Sequence, residues 1–304
     1  GVPYGEALGL AEEIVYDIDV LRNRPDAYGQ VGVARDLAAR FNVPFTLNNP
    51  TLVVSGPAKS APVDIVAGDR CARFTTIIIS GIRIAPSPDW MVSRLAASGM
   101  RSINNVVDVS NYVMLETNQP NHAYDFATLG GGGFKIRLAA DGEMMITLDG
   151  VERALTTDDL LICDATDRPI GIAGIMGGLS TAVSDDTKDV FFEAAFWPQE
   201  FMAGRARAYG MHTDASMRFE RGVDPAGQAR AIERATELLL EIAGGDAGPL
   251  VDEASPGHLP TRADITLRKD RLSRLLGVTV ADTEVMAILT GLTMGVSRVD
   301  GGWL

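Results

Sequence analysis

The run Arg101 to Asp125, RSINNVVDVSNYVMLETNQPNHAYD, mixes apolar residues with a dense set of Asn, Asp, Glu, Gln and His. Each amide or carboxylate taken out of water without a partner costs about 1–3 kcal/mol. So many of them in an apolar context must face a cavity or one another. His122 comes directly after a proline turn, with Asn111 and Arg101 upstream, a placement that suits the wall of a pocket. The alternative is a core histidine satisfied from within, and this segment alone leaves both readings open. A second group stands out in VFFEAAFW, where Glu193 interrupts an apolar strand. Burying that carboxylate unpaired would cost several kcal/mol, so it either pairs with an arginine or holds a polar group of a substrate. Between Gly204 and Gly222, Arg205, Arg207, Arg218 and Arg221 face only Asp214 and Glu220. That cluster is either a local basic face or a solvated surface.

The elements that must position these groups are readable in outline. IVYDIDV (14–20) alternates as a strand, and Asn23-Arg24-Pro25-Asp26 turns into a helix carrying Tyr28, Val31, Ala34, Leu37, Ala38 and Phe41. Residues 48–62, with three prolines, form a linker. Strands follow at VDIVAG and FTTIIISGIRI, then a helix capped by Asp89 that ends near Gly99. Asn105 to Leu115 has helical spacing, with Val106, Val109, Val113 and Met114 on one side and Asp108, Asn111 and Glu116 around the others. Asn118 to Asn121 is a turn.

After a glycine loop at 130–133, strands are expected at FKIRLA and EMMITLDG, the latter turning at Asp149-Gly150. DLLICDATDRPIGIAGIMGG makes two strands joined at Asp167-Arg168-Pro169, and its terminal glycines permit close approach of a ligand or tight packing. No Gly-Lys-Ser/Thr follows them, so this is not a phosphate-binding P-loop. Asp224-Pro225 is expected to cap a long helix ending at Gly244-Gly245. Residues 248–260 read as a second linker, and ITLRKDRLSRLLG with an Asp282-capped helix as a small two-helix unit.

With 304 residues, two or three domains are expected, and 46% hydrophobic residues suffice for full cores. Cys71 and Cys163 lie far apart with no CxxC or Cys/His cluster, which argues against a disulfide framework and against a zinc site and fits a reducing cytoplasm. No apolar run is long enough for a membrane span, and GVPYGEAL is not a signal peptide. With no initial methionine, and a last turn at Asp300-Gly301-Gly302, the chain reads as a piece of something larger. Its net charge of −13 opposes bulk electrostatic binding of nucleic acid without excluding a local basic face.

Four pieces, in order, resemble the beta subunit of bacterial phenylalanyl-tRNA synthetases. They are NRPDAYGQVGVARDLA, the Arg101–Asp125 run, GIAGIMGG with FFEAAFW, and HTDASMRFERGVDP; the tail ITLRKDRLSRLLGVTVADTEV is similar to the start of the family's next module. The resemblance implies an α+β fold in which a central mixed-sheet, barrel-like editing domain at 63–255 is flanked by small helical modules. Residues 1–55 would be the second half of an N-terminal module, and 256–304 an incomplete one. It implies partnership with tRNA(Phe) and with the alpha subunit in a heterotetramer of two alpha and two beta chains in the cytoplasm. ATP and magnesium would serve the holoenzyme, with no cofactor in this part.

By the same resemblance, Glu193 corresponds to the acid that receives the hydroxyl of a mischarged tyrosine. His122 corresponds to the pocket histidine near the scissile ester, with Asn111 and Arg101 beside it. Thr213 and Ala215 would line the pocket, and Gly174 and Gly177 would let the substrate approach. Tyrosine is phenylalanine plus one hydroxyl, and an apolar synthetic pocket rejects such an isostere by only about a hundredfold, so a second site must recognise the hydroxyl. With no Ser-His-Asp or Cys-His arrangement evident, a bound water is the expected nucleophile. The chain departs from the family at Asn121, where leucine or methionine is usual, and at Thr117-Asn118, changes that bear on fine specificity. A competing reading makes the chain a non-catalytic module that positions tRNA and supports the alpha subunit; it expects Glu193 to be paired with an arginine. A third, weaker reading is a nucleic-acid-binding module built on the C-terminal helices.

Overall fold

A computed structural model describes residues 14–56 and 59–304. The N-terminal GVPYGEAL and two residues of the first linker lie outside the described residues.

In chain order the elements are α1 (Gln30–Phe41), β1 (Val63–Ile65), β2 (Arg73–Ser80), α2 (Asp89–Ala97), α3 (Asn105–Thr117), β3 (Asn121–Asp125) and β4 (Phe134–Leu138). There follow β5 (Met144–Ile146), β6 (Glu152–Ala154), β7 (Leu160–Asp164), β8 (Pro169–Ile172), β9 (Met176–Gly177) and β10 (Val190–Phe196). The last third holds α4 (Gln199–Met202), α5 (Arg205–Ala208), α6 (Asp214–Arg221), α7 (Gln228–Ala243), β11 (Asp246–Ala247) and β12 (Val251–Ala254). The C-terminal unit has β13 (Leu267–Arg268), α8 (Lys269–Leu276), α9 (Asp282–Gly291), β14 (Arg298–Val299) and β15 (Gly302–Trp303).

Two sheets carry the architecture. One runs β11-β2-β10-β3, with β12 also on β2, and the other runs β1-β4-β7-β8-β9, with β1 parallel to β4. Period-2 alternation assigns the faces of the first sheet. Ile77, Ile79, Phe192 and Ala194 pack against Met91 and Leu95 of α2, Val106 and Val109 of α3, and Ile232 and Leu239 of α7. The opposite face, with Phe74, Ile78, Phe191 and Tyr124, packs on the second sheet. There Phe134 stacks 4.2 Å from Phe191 and 5.5 Å from Tyr124, centroid to centroid. The result is a helix layer, a sheet and a second sheet, the α+β class expected from the sequence.

Several expectations need correction. The sheets are open rather than barrel-like: β9 is only two residues long and pairs with β8, while β1 pairs with β4, so among the described residues nothing closes the second sheet. IVYDIDV is not a strand, and its Ile14, Val15, Tyr16 and Ile18 are exposed, because alternation makes a strand only where a neighbouring edge completes the ladder. Asp89 is the first residue of α2 and Pro88 its cap. The long helix begins at Gln228, because the Asp224 carboxylate accepts from Ala226 N at 3.1 Å and closes a local turn before the helix. Likewise α9 is capped by Ala281, and Asp282 pairs with Lys269 at 2.6 Å. The supposed second linker contains β12, held on β2 by Asp252, which accepts from Thr75 Oγ1 at 2.6 Å and from Arg73. Asp108 is not on an outer face of α3 but fully buried, accepting from Ser87, Ser102 and Ile103 N.

Cys71 and Cys163 are both buried and unlinked. Thiol titration of the denatured, unreduced chain is therefore expected to find two reactive thiols per molecule; finding none would contradict the structure.

Candidate functional site

The centre of the first sheet carries a row of polar side chains on its inner, apolar face. In the register, Glu193 on β10 stands opposite Thr76 on β2 and opposite His122 on β3. Residues paired in this way point to the same side with Cβ atoms about 4.5–5.5 Å apart. Each has a buried polar atom with no hydrogen-bond partner: Thr76 Oγ1, Glu193 Oε2 and His122 Nε2. Thr76 is 1% exposed and Glu193 7%. Glu193 forms no ion pair among the described residues, so the arginine-anchor reading fails for it. Burial pushes its carboxyl up to about 8 and pushes the His122 imidazole down to about 4. At neutral pH the pair is therefore a largely protonated carboxyl beside a neutral imidazole.

Local structure fixes both. α3 is capped by Asn104, whose side chain accepts from Val106 N and Val107 N, and ends at Asn118 in the left-handed region at φ 64°. The turn that follows is pinned by Gln119, which donates to Ala195 O on β10 at 3.0 Å and accepts from Gln228 of α7 at 2.9 Å. β3 then enters in register, and Tyr124, two residues on, packs edge-on against the His122 ring with centroids 4.6 Å apart.

Two adjoining cavities meet here. The inner one, of about 80 Å³, is floored by Glu193 and His122 and walled by Tyr124, Ile172, Trp197 and Phe219. The outer one, of about 510 Å³, is lined by Asn111, Ser110, Thr213 and Asp214. Asn121, His122, Gly177 and Ala215 border both. A Cβ at Gly177 would lie 2.5 Å from His122 Nε2, so only glycine leaves that nitrogen room. Gly174 has φ +67°, and a Cβ there would meet the Met202 methyl at 2.5 Å. Thr213 Oγ1 caps α6, accepting from Ser216 N at 3.0 Å and donating to Ile175 O at 3.0 Å, so it shapes the wall and has no proton left to donate to a ligand.

Of the site residues predicted from sequence, the structure thus brings His122, Glu193, Gly174, Gly177 and Ala215 to the inner cavity and Asn111 and Thr213 to the outer one. It does not bring Arg101, which is exposed and lines neither. The loop after it is drawn inward by Asp108 through Ser102 and Ile103, and Arg101 stays in solvent. Of the four arginines between Gly204 and Gly222, three are ion-paired, Arg205 with Asp158, Arg207 with Glu220 and Arg218 with Asp214, and Arg221 alone forms no ion pair among the described residues. The sequence reading missed Tyr124 and Thr76; alternation along HAYD and along FTTIII would have set them on the faces of His122 and Glu193. Among the described residues, no group of three or more His, Cys, Asp or Glu is placed to hold a metal ion. No described helix is long and apolar enough to cross a membrane.

The two shifted groups predict a pH dependence of stability. Glu193 keeps a proton in the folded chain that the unfolded chain releases near 4.5, so stability falls as pH rises from about 4.5 to about 8. His122 does the reverse, adding stability as pH rises from about 4 to 6.5. The slopes oppose each other below 6.5, and above it only that of Glu193 remains. Between pH 6.5 and 8 the chain is expected to lose about 1–2 kcal/mol, and Glu193→Gln to abolish that decline. Denaturant melts across this range check it, and an equal decline in the variant would contradict the assignment.

The comparisons with known proteins agree on a family. The B3/4 domain family model matches residues 70–244, a span that contains Thr76, His122, Glu193 and Thr213. The chain is 44% identical over 305 residues to the beta subunit of phenylalanine–tRNA ligase of Hahella chejuensis, covering 100% of this chain and 38% of that protein. It is 44% identical to the corresponding subunit of Pectobacterium atrosepticum, covering 94% and 36%, and 42% identical to that of Yersinia pestis, covering 100% and 38%. It thus spans less than two fifths of the length of these relatives. A crystal structure of an N-terminal fragment of the phenylalanyl-tRNA synthetase beta subunit from Pyrococcus horikoshii is 16% identical with a TM-score of 0.43, covering 93% of this chain and 78% of that one, a likeness too low to bear on the fold. The chain belongs to the B3/4 domain family and, along its whole length, resembles the beta subunits of phenylalanine–tRNA ligases.

Proposed function

We propose that the paired cavities are an editing site that hydrolyses the ester of tyrosine mischarged on tRNA(Phe). The observation that supports this reading is the unpartnered Glu193 carboxyl on the floor of a small, aromatic-walled cavity, beside an unpartnered His122. A phenol ring fits the shape and polarity of that cavity. Glu193, holding its proton, can both accept from and donate to the phenol oxygen. Phenylalanine would leave the carboxyl unsatisfied, and a site built around such a hydrogen bond can reject the analogue lacking it by up to ~10⁴–10⁵.

The ester then falls in the outer cavity. A water adds to its carbonyl carbon, the bond to the ribose oxygen breaks, and that oxygen leaves with a proton, giving free tyrosine and a tRNA with its terminal hydroxyl restored. His122, neutral at physiological pH, serves as a hydrogen-bonding group that orients the water or the ester. The Asn111 amide is placed to hold ribose hydroxyls. Arg101, outside both cavities, takes no part in the bond-breaking step.

We further infer that the chain acts within a beta subunit that, with the alpha subunit in a heterotetramer of two alpha and two beta chains, attaches phenylalanine to tRNA(Phe) in the cytoplasm. The editing domain is taken as 63–255, between partial helical modules at 1–55 and 256–304. ATP and magnesium belong to the aminoacylation reaction, and no residue here is assigned to them.

Glu193→Ala tests the reading. Free tyrosine is expected to bind about tenfold worse or more, the value of one buried hydrogen bond, and phenylalanine to bind unchanged or slightly better. Calorimetric titration of both ligands, alongside thermal unfolding, decides it. An equal loss for the two ligands with a lowered melting temperature would make Glu193 a structural residue and overturn the proposal.

A further inference from the structure

Opposite the polar row, the second sheet presents two glycines. Gly171 on β8 and Gly177 on β9 are cross-strand partners, so the side chains they lack would point to the same side. Gly177 leaves room for His122, and Gly171 does so for Tyr124: a Cβ built at Gly171 would lie 3.7 Å from the Tyr124 hydroxyl and 3.8 Å from Ile162 Cβ. Tyr124 thus reaches from β3 across to β8 and ends beside the glycine. Tyr124, Ile162 and Gly171 all border the inner cavity and not the outer one. Among the residues that border the inner cavity alone, Glu193 and Tyr124 are the two with a side-chain oxygen. Tyr124 is 1% exposed, and its hydroxyl forms no hydrogen bond among the described residues. Burial first, and then the nearness of the Glu193 carboxylate, push the Tyr124 pKa well above the usual phenol range, so it stays a neutral O–H donor.

A phenol oxygen bound at this end of the cavity has one proton to donate and lone pairs to accept with, and a single partner leaves part of that capacity unused. Glu193 and Tyr124 together can fill it. The phenol donates to the carboxyl and accepts from the Tyr124 hydroxyl, or both directions are reversed. In so small an aromatic-walled cavity an unused donor or acceptor is costly, so a second partner adds discrimination that the first does not supply. We propose that the Tyr124 hydroxyl is a second receptor for the para-hydroxyl of the bound tyrosyl group, which is read from β10 by Glu193 and from β3 by Tyr124. This rests on the editing reading and deepens it: a phenylalanyl ring would leave both groups without the contact, and Tyr124 becomes a specificity-determining residue of the same site.

The test uses the 304-residue chain, the variant Tyr124→Phe, and two probes, free tyrosine and free phenylalanine. The substitution keeps the ring that packs edge-on against His122 and against Phe134 and removes the oxygen alone. Tyrosine is expected to bind the variant about three- to tenfold more weakly, the effect of one hydrogen bond between neutral groups, and phenylalanine to bind within about twofold of its affinity for the unaltered chain. Because the hydroxyl has no partner in the ligand-free chain, the melting temperature without ligand should stay the same or rise, whereas a structural role for that oxygen would lower it. An unchanged preference for tyrosine over phenylalanine in the variant, or an equal loss of both ligands with a lowered melting temperature, would overturn the assignment to Tyr124 and leave the editing reading standing. No preference for tyrosine in the unaltered chain would remove both.

Discussion

Three polar side chains between the two sheets each hold a buried polar atom with no hydrogen-bond partner. Thr76, Glu193 and His122 line up across β2, β10 and β3, where the neighbouring positions on the same face are Phe74, Ile78, Phe191 and Tyr124. Each orphaned group destabilises the fold by about 1–3 kcal/mol, and such an arrangement persists only where the surroundings over-determine it. The surroundings do so from both sides. The helix layer of α2, α3 and α7 clamps one face of the sheet, and the Phe134, Ile136 and Ile162 side of the second sheet covers the other. Neither can relax toward the polar row without opening a core.

From that constraint the remaining features follow. The Gln119–Gln228 contact ties the turn before β3 to the start of α7, so that His122 enters opposite Glu193 and not one residue out of step. A slip of one residue would turn His122 to the helix side and exchange it for Ala123. Gly177 exists as glycine because a methyl group there would sit on the imidazole nitrogen. The first turn of α6, capped by Thr213 and carrying the small Ala215, brings a wall close to the cavity without filling it. Desolvation then sets the protonation states: a carboxyl that keeps its proton and an imidazole that gives its own up. The site is poised to exchange hydrogen bonds, and it offers no charge to a ligand ring.

Much of this was legible in the sequence, for identifiable reasons. An acid inside VFFEAAFW and a histidine after NQPN announce themselves, because their burial needs a reason and their local geometry is fixed by alternation and by proline. The helical spacing of Asn105 to Leu115 gave α3 within two residues of its end. What could not be read was anything set by a distant partner. The pairing of Glu193 with His122 depends on the register of two strands far apart in the chain. Asp224 looks like a helix cap but closes a turn of its own, so α7 starts later. The segment at 251–254 looks like a linker until Arg73 and Thr75 of β2 supply partners for Asp252. The family resemblance puts Arg101 beside His122, yet its side chain is exposed and lines neither cavity. IVYDIDV has the pattern of a strand and, among the described residues, no neighbouring edge to make it one.

The most direct measurement of the central claim is the rate at which this chain releases the amino acid from tRNA(Phe) charged with tyrosine and from the same tRNA charged with phenylalanine. The account predicts deacylation of the tyrosyl ester well above the rate in buffer, little or none of the phenylalanyl ester, and loss of the tyrosyl rate in His122→Ala. Equal rates for the two esters, or a tyrosyl rate that His122→Ala leaves unchanged, would contradict it.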